Sequence, residues 1–221
     1  MAKPPLISIK ALAAGVAWVL ALELLAALIA PQKGLAGLWA IAGLRAVQAG
    51  GLVAGFLLFS QGLESLFLAP GQLKKGLWRG FLWGLGFGAL CAAAGVLMVL
   101  NGINPIALIS GGFHDNSLPF VLSYIFVGSL VAGVSEEIFF RGLVQGFFLR
   151  FGAGISIVVS TAVFAAAHWR LGAVPVFQII GGLLFSSAFA REKNLFVPIL
   201  LHVAGNFALF AFSVWGKKLF S

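Results

Sequence analysis

Glu136, Glu137 and Arg141 put two carboxylates and a guanidinium into six residues of an otherwise apolar stretch, running from about residue 118 to 149. A stretch of that length can cross a bilayer. On an insertion scale each charge at mid-helix costs about 2.5–3.5 kcal/mol, so three facing lipid would cost roughly 8–10 kcal/mol. The three groups must therefore face protein or a wet cavity, and something must pair with them. Glu137 and Arg141 are four apart, share a helix face and can pair. Glu136 is offset by about 100° around the helix and is free to point into a cavity. A carboxylate so placed can take a proton from water and return it to a leaving amine. A buried ion pair fixing helix packing would account for Glu137 and Arg141, but not for Glu136.

Other apolar segments supply partners. Phe164 and His168 are four apart, as are His202 and Asn206, so each pair shares a helix face. Taken alone, His168 reads as an interfacial residue at a helix end. Depth argues otherwise. Glu136 lies fourteen residues before Arg150, and His168 fifteen after Ala153. At 1.5 Å per residue both stand about 21–23 Å from the intervening turn, level in an antiparallel hairpin.

The elements that must position these groups are membrane helices. The chain has 221 residues, 61% hydrophobic and 9% charged, with a mean hydropathy of +1.09. Soluble domains carry about 25% charged residues. Repeated apolar runs near 20 residues predict an all-α, polytopic membrane protein of about seven transmembrane helices. The spans fall at about 8–30, within 36–68, and at 77–100, 118–149, 153–169, 173–190 and 195–215. Residues 1–117 are expected to form N-terminal transmembrane helices and a polar loop, and 118–216 the core that carries the chemistry. The net charge of +8 reflects Lys and Arg at helix ends and does not point to nucleic acid. Cys91, the lone cysteine, reads as a small buried hydrophobe. The run after Lys3 and Lys10 reads as an uncleaved first span. Gly51/Gly55, Gly80/Gly84 and Gly84/Gly88 read as helix-packing pairs. The polar stretch 101–118, with His114, reads as a surface loop or a lid, and 191–194 as a turn.

Together, Glu136-Glu137-x-x-x-Arg141, Phe164-x-x-x-His168 and His202-x-x-x-Asn206 resemble, in order and kind, the three motifs of the CPBP family, the CAAX-protease and bacteriocin-processing family also called Abi or type II CAAX prenyl endopeptidases. The resemblance covers roughly residues 118–210, with each motif on its own span. It implies an intramembrane endopeptidase whose catalytic residues are Glu136, His168, His202 and Asn206, supported by Glu137 and Arg141. Glu136 and His168 would activate water, while His202 and Asn206 would stabilise the oxyanion.

The cofactor is left open between none and one divalent metal such as zinc, for which Glu136, His168 and His202 would be the ligands. The implied partners are the lipid bilayer and a membrane-associated peptide or protein substrate, lipidated or not. Two other readings fit the same polar core: a catalytically silent scaffold or regulator, and a proton-coupled transporter, although no internal repeat supports the latter. Lys3, Lys10, Lys74, Lys75, Arg79, Arg150, Arg191 and Lys193 against Lys33, Arg170, Lys217 and Lys218 favour an amino terminus inside, whereas the resemblance implies a site near the cytosolic face and the opposite topology, so the orientation stays open.

Overall fold

The computed structural model describes residues 6–29, 34–59, 62–105, 117–169 and 174–215. Among the described residues the chain is helical, with no strand. Seven major helices follow one another: α1 (Ile9–Ile29), α2 (Gly34–Leu58), α3 (Leu73–Leu100), α4 (Leu118–Phe151), α5 (Ala153–Ala167), α6 (Val176–Glu192) and α7 (Phe196–Trp215). The protein is an integral, multi-pass membrane protein: α1, α2, α3, α4 and α7 are long and apolar enough to cross a membrane. Helices α5 and α6 lie where spans five and six are expected, but are shorter, with 15 and 17 residues.

Several boundaries differ from expectation. Helix α3 begins at Leu73, taking in Lys74 and Lys75, because Pro70 opens a 3₁₀ turn, Pro70–Gln72, that leads straight into it. Arg191 and Glu192 are the last residues of α6, and the turn begins at left-handed Lys193. Cys91 is exposed, on a helix whose membrane-spanning window buries nothing. Within the glycine pairs, a Cβ at Gly51 would come 2.5 Å from the Trp18 indole, and one at Gly80 3.2 Å from Val197 O. Gly55 and Gly88 face open space. Residues 106–116, including His114 and most of the expected lid, lie outside the described residues.

Helix α4 lies at the centre, packed by α1, α2, α5 and α7. Its course contains two π-helical segments, Val127–Val131 and Ile138–Gln145, on either side of Ala132–Glu137. Such segments are rare and concentrate at functional sites. Helices α4 and α7 approach closely where side chains are missing: a Cβ at Gly133 would come 3.0 Å from Val203 Cγ2, and one at Gly128 2.6 Å from Phe210. Gly152 at φ 101° makes the turn into α5, a conformation glycine adopts without strain. The Asn194 side chain accepts from the Phe196 amide at 3.0 Å, capping α7, and donates to Gln72 O at 3.0 Å. Apolar packing centres on Ile7, Leu66, Leu143, Phe189 and Leu195, all essentially inaccessible.

Polar contacts bring one set of helix ends together. Arg150, at the end of α4, donates to Ile7 O just before α1. Arg79, near the start of α3, makes two hydrogen bonds of 2.8 and 2.9 Å to Glu192 at the end of α6, and Trp83 Nε1 adds a third at 3.1 Å. This end carries Lys10, Lys74, Lys75, Arg79, Arg150, Arg191 and Lys193. In the first hairpin Glu23 pairs with Arg45, and Gln48 Nε2 donates to the same carboxylate at 2.7 Å.

Candidate active site

Three helices deliver the site. Ala132–Glu137 of α4 carries both carboxylates, His168 caps the C-terminal end of α5, and His202 and Asn206 occupy successive turns of α7. Glu136 Oε2 lies 3.7 Å from His168 Nε2 and 3.8 Å from His202 Nε2. Glu136 and His168, 32 residues apart in sequence, thus meet at one depth across the α4–α5 hairpin.

Both imidazoles are fixed from behind. His168 Nδ1 lies 2.9 Å from Phe164 O, a carbonyl that can only accept, so Nδ1 carries a proton. The neutral ring then presents the lone pair of Nε2 toward Glu136. His202 Nδ1 lies 2.7 Å from Glu137 Oε1. With a carboxylate as acceptor, that nitrogen also carries its proton, and Nε2 is again the atom offered to the site. Aromatic rings hold the orientation: Phe185 stacks on His202 with centroids 4.9 Å apart, and Phe164 lies 4.5 Å from His168.

Glu137 and Arg141 are both fully buried and pair at 2.7 Å. Arg141 reaches Gly182 O on α6 at 3.4 Å, and its guanidinium carbon lies 4.5 Å from the Phe164 ring centre and 5.4 Å from that of Phe185. A guanidinium over aromatic faces is attracted by their quadrupoles. Arg141 thus ties α4, α5 and α6 together behind the two histidines. Ser135, next to Glu136, donates to Ala132 O of its own helix at 3.0 Å. The Asn206 side chain donates to Gly128 O at 2.9 Å, anchoring α7 to the first π segment, with its second amide hydrogen left to point elsewhere.

The two Nε2 atoms and the carboxylate are donors suited to a divalent cation. Their spacing is less suited. Bonds of about 2.0–2.1 Å to a tetrahedral zinc hold neighbouring donors about 3.3–3.4 Å apart, against 3.7 and 3.8 Å here. Among the described residues no group of three or more His, Cys, Asp or Glu side chains could hold a metal ion. The Glu136, His168 and His202 set therefore does not fit a metal in this arrangement, and the chemistry below uses none. Separations of 3.7 and 3.8 Å do suit a water bridging the Glu136 carboxylate to the imidazoles.

Residues 118–208 match the family model of type II CAAX prenyl endopeptidase Rce1-like proteins. This stretch is thus similar to the type II CAAX prenyl endopeptidase core. The match spans every residue described in this site. The membrane-embedded CAAX protease MroQ of Staphylococcus aureus (strain USA300) is 33% identical over 90 residues, which is 38% of this chain and 36% of that relative. The aligned region thus spans about a third of MroQ. No solved structure matches the chain significantly.

Two features of this site escape the sequence motifs. One is the bond from His202 to Glu137, which joins the first motif to the third. The other is the use of Asn206 against Gly128. A signal for the first exists only in hindsight: Glu137 is the carboxylate already held by Arg141, so its remaining lone pairs are the best-fixed acceptors near α7.

Proposed function

We propose that the protein is an intramembrane endopeptidase that hydrolyses a peptide bond with a water activated by Glu136 and His168. The observation that carries this reading is the convergence of His168 Nε2 and His202 Nε2 on the single oxygen Glu136 Oε2. A water bridging these atoms gives up a proton to Glu136, aided by the His168 lone pair, and its oxygen attacks the carbonyl carbon. The carbonyl π electrons move onto oxygen, where an Nε2–H of His202 and the second Asn206 amide hydrogen donate to the developing oxyanion. Collapse of the tetrahedral adduct breaks the C–N bond, and the proton held by Glu136 goes to the leaving amine.

Glu137 and Arg141 touch no reacting atom in this scheme. They are positioning residues: Glu137 fixes the His202 ring, and Arg141 fixes Glu137. The family match and the MroQ relationship support the protease reading, and they support a substrate that is a membrane-associated peptide or protein. Lipidation of that substrate is a question of recognition beyond these residues.

The test is cleavage of a panel of prenylated and unmodified membrane peptides by the purified protein in bilayer discs, with Glu136→Gln and a chelator arm alongside. Cleavage that the substitution abolishes and the chelator spares supports the reading as stated. Cleavage abolished by the chelator and restored by a divalent ion would replace the metal-free mechanism. A folded protein that cleaves nothing while retaining peptide would favour a silent scaffold.

A further inference from the structure

A groove of about 400 Å³ runs along the outer side of α3, lined by Leu82, Trp83, Gly86, Phe87 and Leu90 with Leu184 of α6, and closed at one end by Arg79. Its volume lies within the range of small-molecule pockets. Its polarity runs one way: one end is cationic and the rest is apolar.

Its length is informative. From Arg79 to Leu90 the helix rises about 16 Å, close to half the roughly 30 Å hydrocarbon core. Measured inward from the basic end, a groove of that length spans about one leaflet. A partner transmembrane helix would need a groove crossing both leaflets. A molecule of one leaflet, with a headgroup at the basic end and a chain reaching inward, needs what is here.

Charge at the mouth selects the headgroup. Glu192 neutralises one guanidinium through its two bonds to Arg79. Arg79 nonetheless stays 41% exposed. Lys75 is exposed one turn earlier on α3, and Arg191 is exposed beside Glu192. The mouth therefore has three cations against one carboxylate, and cations at this level attract anionic headgroups. We propose that this groove binds one anionic phospholipid, with its headgroup among Lys75, Arg79 and Arg191 and one acyl chain along Trp83, Gly86 and Leu90.

The inference stands apart from the catalytic reading, because no residue lining the groove belongs to the site around Glu136, His168 and His202, and its test reads binding alone. Purified protein is titrated with phosphatidylglycerol or phosphatidylcholine of matched chains, and bound lipid is counted by native mass spectrometry. The wild type is expected to retain one phosphatidylglycerol, in preference to phosphatidylcholine. Lys75→Gln with Arg191→Gln leaves the Arg79–Glu192 bonds untouched and is expected to weaken retention about tenfold. Gly86→Leu fills the groove from a position where an added Cβ meets nothing within 4 Å, and is expected to abolish retention without loss of fold. Equal retention of the two lipids would overturn the proposal. So would undiminished retention by Gly86→Leu, or displacement of phosphatidylglycerol by a farnesylated peptide lacking an anionic group.

Discussion

Glu137 and His202, 65 residues apart in sequence, are joined by a 2.7 Å hydrogen bond from Nδ1 to Oε1, and the same oxygen accepts from Arg141 at 2.7 Å. One carboxylate oxygen therefore sets the imidazole of α7 and is itself set by the guanidinium of α4. Glu136, its neighbour in sequence, has no such anchor and faces both Nε2 atoms. In the proposed mechanism the adjacent glutamates thus divide into a holder and a reactor.

Replacement of the reactor should stop chemistry while leaving the bundle standing. Glu136→Gln keeps volume and hydrogen bonding but cannot hold the water's proton. Cleavage is expected to fall about 10²–10⁴-fold, the usual range for a lost general base. Thermal melting in a fixed detergent should stay near wild type, because Glu136 makes no bond shorter than 3.7 Å to the two histidines.

Replacement within the holder should do the opposite first. Arg141→Met leaves the Glu137 charge buried with only His202 as partner, and a broken buried pair costs about 3–5 kcal/mol. Glu137→Gln combined with Arg141→Met removes both charges and is expected to melt above the single Arg141→Met variant. Melting curves of the two proteins decide it. A double variant less stable than the single one would show that the pair does not act as a unit.

Asn206 makes a third test. Asn206→Ala removes the proposed oxyanion donor, a loss that typically costs about 10²–10³-fold in kcat, and also the bond to Gly128 O. Asn206→Asp removes the donating amide while preserving size, and should be as inactive. KM is expected to move far less than kcat in both, because the donor acts only as charge develops on the oxygen.

The α4–α7 contact offers a packing test. A methyl at Gly133 would press on Val203 Cγ2 at 3.0 Å and approach Val203 N at 3.4 Å. Gly133→Ala is expected to destabilise by about 1–3 kcal/mol through overpacking. It should also lower activity, because Val203 adjoins His202. Val203→Ala added to it should restore much of both. A double variant no better than Gly133→Ala would mean that the backbone contact, not the side chain, sets the limit.

Much of this arrangement is legible in the chain. Apolar runs locate seven helices, since backbone satisfaction in lipid leaves few other structures. The i, i+4 spacings mark the polar face of each motif helix, and equal distance from the α4–α5 turn puts Glu136 level with His168. What the sequence hides is of another kind. The two π segments have no compositional mark: Ile138–Gln145 reads as any amphipathic stretch. The Glu192 bonds to Arg79 and Trp83 cross more than 100 residues, and local periodicity carries no information about such pairings. Burial of Cys91 is inferred from apolar surroundings, but in a membrane an apolar neighbourhood is equally the lipid-facing side.

The shortness of α5 has a consequence for the membrane itself. Fifteen residues rise about 22 Å, some 8 Å less than a typical hydrocarbon core. The surrounding lipid must compress, or the α5–α6 hairpin must ride below the headgroups, at a cost of fractions of a kcal/mol per Å. Because His168 caps that short helix, its depth beneath the surface is expected to follow bilayer thickness, shallower in thin membranes and deeper in thick ones.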